Sequence, residues 1–334
     1  MGERGMPRVS IVVCTKDRPD ELVKALVSIR ASDDVARAAE IVVVEEADAP
    51  RSIPGVRYIH LPRENRGVGY ARNVGVKAAT GEIVVFIDDD CEAEKGWAEA
   101  LVRPLCEEAE VIGVAGAVLV RDCNLIGYTE NILGFPGGGL RFVHQAEGRI
   151  VPTRHLTTCN CAYRRRVVLE VGGFIEEAKF AGEDSILAER VTERGRCVYV
   201  PSAIVYHRPR GRYRAIFQWF IRRGQSEIVC VRKRAMDAPS LWFLVRGSWT
   251  LRGIIFAALC LYWPRLVVWV PAGVVLYGVV QLWRTRFALA YPIHRMAWWL
   301  VPFVKITMDI GNELGRWKEL IGHERSTSPR ISGS

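Results

Sequence analysis

Apolar residues in the first part of the chain fall into two alternating rhythms, short β-branched runs and helical stripes. Ile41–Val44 and Ile83–Ile87 are unbroken apolar runs, and Val9–Cys14 is a β-branched run interrupted by Ser10, the pattern of strands buried on both faces, while Val56–Leu61 predicts a third strand in chain order that is more exposed. Between the first two runs, Leu22, Ala25, Leu26 and Ile29 set one face of a helix over Glu21–Ile29, after a polar turn at Thr15–Asp20. The Gly-rich stretch Asn65–Gly75 opens another helix that continues to Ala79. This β-α-β order implies parallel strands joined by right-handed crossovers. Further along, helices are predicted over Trp97–Leu105, Arg165–Glu170 and Ser185–Glu193. A strand is predicted over Val111–Val120, interrupted by Gly113 and Gly116, with extended segments at Thr157–Tyr163, Cys197–Val200 and Ala203–Tyr206. Leu125–Arg149, with Gly134, Gly137, Gly138 and Gly139, has weak periodicity and predicts a long irregular connection of the kind that serves as an acceptor loop or lid.

From Leu241 to Ile310 the pattern changes to aliphatic and Trp residues. Leu266–Trp283 holds 18 residues, about 27 Å of helix, just long enough to span a bilayer core. Gly253–Trp263 is a shorter apolar helix, and Pro264-Arg265 would be the turn of a hairpin whose ends emerge on one side. Met296–Ile310 predicts an interfacial helix or a third short span. Six of the ten Trp residues lie from Trp249 to Trp299, where headgroup-level anchoring would place them. A buried helical core or dimer interface would need that much apolar surface covered. The chain thus divides into an α/β domain over 1–210, a basic amphipathic linker over 211–240, membrane-spanning or interfacial helices over 241–312 and a polar tail over 313–334, with His323–Ser334 expected disordered.

Net charge is +9, and nine basic residues fall between Arg208 and Arg234. Their place beside the apolar region favours anionic lipid headgroups on the cytoplasmic side over nucleic acid. The nine cysteines are odd in number and lack paired CxxC motifs, which argues against a zinc site or a disulfide framework and for a reduced cytosolic compartment. Met1–Arg8 is polar and lacks the apolar run of a signal peptide, so attachment would come from the other end.

Four places carry candidate chemistry, each with a plain structural alternative. Asp88-Asp89-Asp90 follows the Ile83–Ile87 run; three adjacent carboxylates repel one another unless a ligand or metal sits among them, or the segment is a solvated loop. The Asn65–Gly75 loop with Arg72 can hold a diphosphate at a helix start or be a simple cap. Glu183 and Asp184 open a helix, where acids satisfy free amides with no further role. His207 is a ligand or a surface residue.

Taken together, these pieces resemble the inverting family 2 glycosyltransferases. The residues that carry the likeness are Val9–Thr15, Asn65-x-Gly67 with Ala71-Arg72-Asn73-x-Gly75, the Asp88–Asp90 triplet in the place of a DXD motif, Asn160-x-Ala162 with Arg164, Gly172-Gly173-Phe174, Gly182-Glu183-Asp184 and Pro201 leading to His207. The resemblance covers about Val9 to His207. It implies a GT-A fold, a mixed, mainly parallel sheet sandwiched by helices and followed here by membrane-associated helices. It also implies a nucleotide-sugar site in which Asp88 faces the ribose and Asp89 lies within the donor-binding set. Asp90 and His207 would hold Mn2+ or Mg2+, the imidazole tilting the choice towards manganese. Thr15 would lie by the base, Arg72 would meet the base or diphosphate, and Asp184 would be the general base, with Glu183 and Asn160 supporting. Where the family usually has an Asp pair after the second strand, this chain has Glu45-Glu46-Ala47. With Glu45 as base acceptor, UDP is the default nucleotide and GDP stays open.

The function expected from this is metal-dependent, inverting sugar transfer at the cytoplasmic face of the cell membrane. The acceptor would be a glycan or lipid-linked glycan, with membrane lipids as further partners and no nucleic acid. A non-catalytic membrane adaptor that binds nucleotide sugar is the alternative of another class. A processive polysaccharide synthase is disfavoured by too few spans and by Gln218–Arg223, which only echoes the Gln-x-x-Arg-Trp motif of such enzymes.

Overall fold

In the computed structural model, which describes residues 7–234 and 238–327, the apolar runs become strands of one nine-stranded sheet. In chain order its elements are β1 (Val9–Lys16), α1 (Pro19–Ser32), α2 (Asp34–Ala38), β2 (Glu40–Glu46), β3 (Arg57–Leu61), α3 (Val68–Ala78), β4 (Ile83–Ile87), β5 (Cys91–Ala93), α4 (Trp97–Glu107) and β6 (Val111–Leu119). They continue as α5 (Leu125–Ile132), α6 (Gly139–Ala146), β7 (Val151–Pro152), β8 (Asn160–Arg164), α7 (Arg165–Glu170), α8 (Glu183–Thr192) and β9 (Arg196–His207). The sheet order is β3-β2-β1-β4-β8-β6-β9-β5, with β7 paired to β9. One half, β3-β2-β1-β4, is parallel, as the β-α-β order requires. The other half is mixed, because β8 runs antiparallel to both β4 and β6 while β6 and β9 are parallel.

Helices cover both faces, which is why the central strands are apolar on both sides. On one face Leu22 and Ile29 of α1 and Trp97, Leu101 and Leu105 of α4 pack against Ile11, Val13, Ile83, Val85 and Ile87. On the other, Val76 of α3, Val168 of α7 and Leu187 and Val191 of α8 pack against Val12, Val84 and Phe86. β4 is buried at all its positions, and each such side chain contributes roughly 1.5–3 kcal/mol by leaving water. The polar tip that follows is therefore held by a rigid strand.

Three local features depart from the periodicity. Cys91–Ala93 is a short strand antiparallel to the end of β9, so the segment after the Asp triplet is extended and the helix begins only at Trp97. The two extended segments near the end of the sheet are one twelve-residue strand, β9, with a bulge: Val200 opposes Gly116 and Ile204 opposes Ala117, leaving Pro201, Ser202 and Ala203 outside the ladder. Asn160 closes this bulge, its Nδ2 donating to the carbonyls of Ala117 and Ala203, both at 2.8 Å, and its Oδ1 accepting from Trp97 Nε1 at 2.8 Å. A Cβ on Gly116 would fall on the Ala203 carbonyl and the Asn160 amide. Residues 125–149 are not irregular throughout: α5 and α6 form there, joined by glycines of positive φ at Gly134, Gly137 and Gly138.

The chain divides into two units, and the sheet belongs to the first, which runs through Cys123 and includes Glu130–Lys179 and Glu183–Pro209. The second comprises Asn124–Thr129, Phe180–Gly182 and the chain from Arg210. Its helices are α9 (Tyr213–Lys233), α10 (Ala238–Gly247), α11 (Trp249–Tyr262), α12 (Val270–Arg284), α13 (Pro292–Ala297) and α14 (Val301–Thr327), with 3-10 turns at Pro264–Trp269, Arg286–Ala290 and Trp298–Leu300. The basic stretch expected as a linker contains the 21-residue α9, which packs on α14. Glu227 Oε2 accepts from Asn312 Nδ2 at 2.9 Å and from Arg316 Nε and Nη2 at 2.9 and 2.8 Å. His323–Thr327, expected disordered, continues α14, while the rest of that tail, residues 328–334, lies outside the described residues.

Among the described residues one helix is long and apolar enough to cross a membrane, Pro264–Arg284, with 21 residues and none of its apolar window buried. α11 before it has 14 residues, about 21 Å, too short to cross alone. Large apolar side chains stand exposed where the two meet, Leu261 at 84%, Val268 at 77% and Trp269 at 68%. Met296–Ile310 is partly core, since Val301, Val304 and Met308 are buried.

Candidate active site

The carboxyl ends of β1, β2 and β4 gather polar groups at one sheet edge, as the parallel half of the sheet demands. At the end of β4, Asp88 is partly exposed and both its oxygens are engaged by the protein. Arg72 Nη2 donates to Oδ1 at 2.8 Å and the Cys159 thiol donates to Oδ2 at 3.0 Å. A hydrogen bond from Cys91 pulls the Cys159 thiol down, but burial and Asp88 outweigh it and leave the group at about 11, so it is a proton donor at neutral pH. Asp88 thus faces outward in a fixed orientation.

Asp89 turns inward and is 5% exposed. Thr15 Oγ1 donates to its Oδ2 at 2.7 Å and Arg18 Nη1 to its Oδ1 at 3.0 Å. Burial, with Asp90 beside it, pushes the Asp89 carboxyl up to about 6. Thr15 is itself buried, so the structure joins these two expected donor-site residues to each other.

Asp90 and His207 come together across the β5–β9 pair. Asp90 Oδ1 lies 3.4 Å from His207 Nε2, and its Oδ2 accepts from Arg18 Nη1 at 2.7 Å. His207 is 7% exposed, and its Nδ1 is buried with no hydrogen-bond partner. The carboxylate of Asp90 and the Nε2 of His207, side by side, are a donor set that fits a divalent cation of the manganese or magnesium type; the unpartnered Nδ1 is the other ring nitrogen. Among the described residues no three His, Cys, Asp or Glu side chains converge on one point. Such an ion would take two protein donors here and fill its remaining positions with substrate oxygens and water, the habit of magnesium in phosphate sites.

Arg72 is 5% exposed and lies between two acids, donating to Asp88 and to Glu183. Its guanidinium is taken up by the protein's own carboxylates, and it braces the end of β4 against the start of α8. Glu183 is 3% exposed, and its Oε2 has no partner. Burial pushes the Glu183 carboxyl up to about 7, against the pull of Arg72. Next to it Asp184 is partly exposed, and its Oδ1 accepts the Ser185 amide at 2.7 Å.

The titration of Glu183 has a thermodynamic sign. Its folded value lies above the ordinary 4.5, so the folded state holds the proton more tightly, and the stabilisation present below pH 4.5 is lost as pH rises towards 7. Denaturant unfolding at pH 5 and pH 8 should show a fall on the order of 3 kcal/mol from this group. Glu183→Gln should remove that part of the pH dependence; an unchanged difference between the two pH values would refute the assignment.

At β2 the two acids separate. Glu45 is 4% exposed and tied to Arg51 Nε and Nη2 at 2.7 and 2.8 Å and to the Tyr58 hydroxyl at 2.9 Å. Glu46 instead opens onto a hollow of about 160 Å3 lined also by Leu61, Pro62, Glu64, Arg66 and Tyr70. Its Oε1 accepts from Lys16 Nζ at 2.7 Å and the Asn65 amide at 3.1 Å. Arg66 lies over the Tyr70 ring at 3.4 Å, and Gly67, with φ of 96°, makes the left-handed step that starts α3 beneath them. Lys16, Arg18, Glu46 and Cys159 therefore join the site beyond the residues that motif spacing singles out. Lys16 ends β1 and Arg18 sits in the turn after it, and the sequence signal for them is charge beside a sheet edge.

Residues 10–172 match the Glycosyl transferase family 2 profile. The chain is 29% identical over 261 residues to the glucosyl-dolichyl phosphate glucuronosyltransferase of Haloferax volcanii, covering 69% of this chain and 77% of that one. It is 32% identical over 228 residues to the succinoglycan biosynthesis protein ExoO of Rhizobium meliloti, covering 60% of this chain and 61% of that protein's length. In three dimensions it is similar to the mannosyltransferase PcManGT of Pyrobaculum calidifontis, solved with GDP-Man and Mn2+, at 22% identity and a TM-score of 0.57 over 92% of this chain and 88% of the other. That likeness speaks to the fold, a mixed sheet between helix layers of the GT-A type. With the profile match over residues 10–172, which hold β1 to β8, and a relative named as a glucuronosyltransferase, the chain carries a glycosyltransferase family 2 domain and is a glycosyltransferase.

Proposed function

We propose that this glycosyltransferase is metal-dependent and inverting, and that it moves a sugar from a nucleotide donor, a UDP-sugar by default, to a lipid-linked acceptor at the cytoplasmic membrane face. The observation that carries the reading is the pairing of Asp90 Oδ1 with His207 Nε2 at 3.4 Å, two residues after Asp88, which Arg72 ties to Glu183 beside Asp184. Asp90 and His207 would hold the cation, which when bound neutralises charge on the departing diphosphate. Asp88, fixed by Arg72 and Cys159, presents its carboxylate to the ribose hydroxyls. Glu46, with Glu45 locked behind it, accepts an N–H from the base, while Arg66 and Tyr70 offer a stacking wall. Asp184 takes the proton of the acceptor hydroxyl as its oxygen attacks the anomeric carbon, the bond to the diphosphate oxygen breaks, and the configuration inverts.

Support for the membrane part comes from the exposed apolar helix Pro264–Arg284 and the basic residues from Arg208 to Arg234, and from a relative whose name includes a dolichyl phosphate acceptor. The test is release of nucleoside diphosphate from a panel of UDP- and GDP-sugars, with Mn2+ or Mg2+ and polyprenyl-phosphate acceptors in mixed micelles. Turnover with at least one donor, lost on chelation, is the expected result; no turnover from any donor under these conditions would end the proposal.

A further inference from the structure

The two arginines of the site differ in their freedom. Arg72 is 5% exposed and clamped between Asp88 and Glu183. Arg18, in the turn just before α1, has a side chain 50% exposed, and its Nη1 bridges Asp90 Oδ2 at 2.7 Å and Asp89 Oδ1 at 3.0 Å. The guanidinium thus sits on one oxygen of Asp90 while the other oxygen faces His207. It supplies the positive charge that the Asp89–Asp90 pair needs, and it does so from a position that solvent reaches. We propose that Arg18 is a displaceable internal counter-cation: it holds Asp89 and Asp90 until a donor diphosphate draws it away, so divalent cation and nucleotide bind together rather than independently.

Charge and geometry favour this exchange, given the reading of Asp90 and His207 as the cation site on which it rests. An ion arriving alone must compete with Arg18 for Asp90 Oδ2 and meets a like charge in doing so. A diphosphate gives the guanidinium a better partner, since its planar fork of donors matches phosphate oxygens. With Arg18 moved onto the diphosphate, both oxygens of Asp90 are free for the ion. Because linkage is reciprocal, nucleotide must then raise cation affinity by the same factor that cation raises nucleotide affinity. Arg18 is a positioning residue on this view, acting through Asp90.

The experiment measures Mn2+ binding to the full chain by the electron paramagnetic resonance of the free ion, with and without UDP or GDP. Wild-type protein should bind Mn2+ weakly alone and about tenfold or more tightly with a nucleoside diphosphate, within the range usual for coupled sites. Arg18→Gln should bind Mn2+ alone about tenfold more tightly than wild type and show a smaller nucleotide effect. Arg18→Lys, which keeps the charge but lacks the fork, should fall between them. If Arg18→Gln and Arg18→Lys both match wild type in Mn2+ affinity and in the nucleotide effect, the proposal is overturned. Asp90→Asn separates this failure from a failure of the site itself: it should abolish Mn2+ binding with either residue at position 18, and retained binding would refute the cation site as well.

Discussion

Asp184→Asn is expected to lower sugar transfer by about 10²- to 10⁴-fold, the usual contribution of a positioned general base. The substitution is close to isosteric, and an amide oxygen can still accept the Ser185 N–H that Asp184 Oδ1 takes at 2.7 Å. The start of α8, the Arg72–Glu183 contact and folding should therefore persist, and donor binding, followed by the thermal shift with nucleotide sugar and Mn2+, should stay near wild type. A loss confined to turnover separates a proton acceptor from a helix cap. Wild-type turnover in Asp184→Asn would leave a capping role for the residue and turn attention to Glu183, whose buried carboxyl stands at about 7.

The second large effect is on stability. Arg72→Met should destabilise the protein by about 3–5 kcal/mol, because it leaves Asp88 and Glu183 without the cation that lies between them. At roughly 2–4 °C per kcal/mol for a domain of this size, the melting temperature should fall by about 10 °C. Adding Glu183→Gln should recover part of the loss, since the buried carboxyl that loses Arg72, and must then take up a proton or ionise unpaired, is gone, and the double-mutant cycle should show coupling above about 1 kcal/mol. If Arg72→Met melted like wild type and only the donor KM rose, Arg72 would be a diphosphate ligand first and a brace second.

What could be read in the chain before folding follows from where the information is local. Ile11–Val13, Ile41–Val44 and Ile83–Ile87 are buried on both faces, so their composition alone announces strands. Asp88–Asp90 follows because a buried strand must end somewhere polar. α5 and α6 are not legible, being eight residues each and held by tertiary burial, of Ile132 in the first and of Leu140 and Ala146 in the second, rather than by a periodicity of their own. β5 exists because β9 pairs with it, a partner more than one hundred positions away. For the same reason the resemblance singles out Arg72 and passes over Arg18: burial, which distinguishes the enclosed arginine from the half-exposed one, is not written in the local sequence. The preference for Glu46 over Glu45 is of the same kind, because it turns on Arg51 and Tyr58 closing over one of two adjacent acids.

The three residues of β9 that stand outside the ladder bear on how such an enzyme can change over time. Upstream of Pro201 the strand is locked into β6, and downstream it carries His207 to Asp90. Because side chains alternate from one residue to the next, deleting a single residue at the bulge would turn Ile204, Val205, Tyr206 and His207 together to the opposite face while the strand up to Val200 kept its register with β6. A lineage could therefore re-aim its imidazole by a change in length at one spot only if the core position of Val205 were refilled at the same time. Within this fold the ion site and the end of the core are thus coupled through four residues, and Asn160, which ties off the bulge on both sides, is the residue that confines the coupling to them.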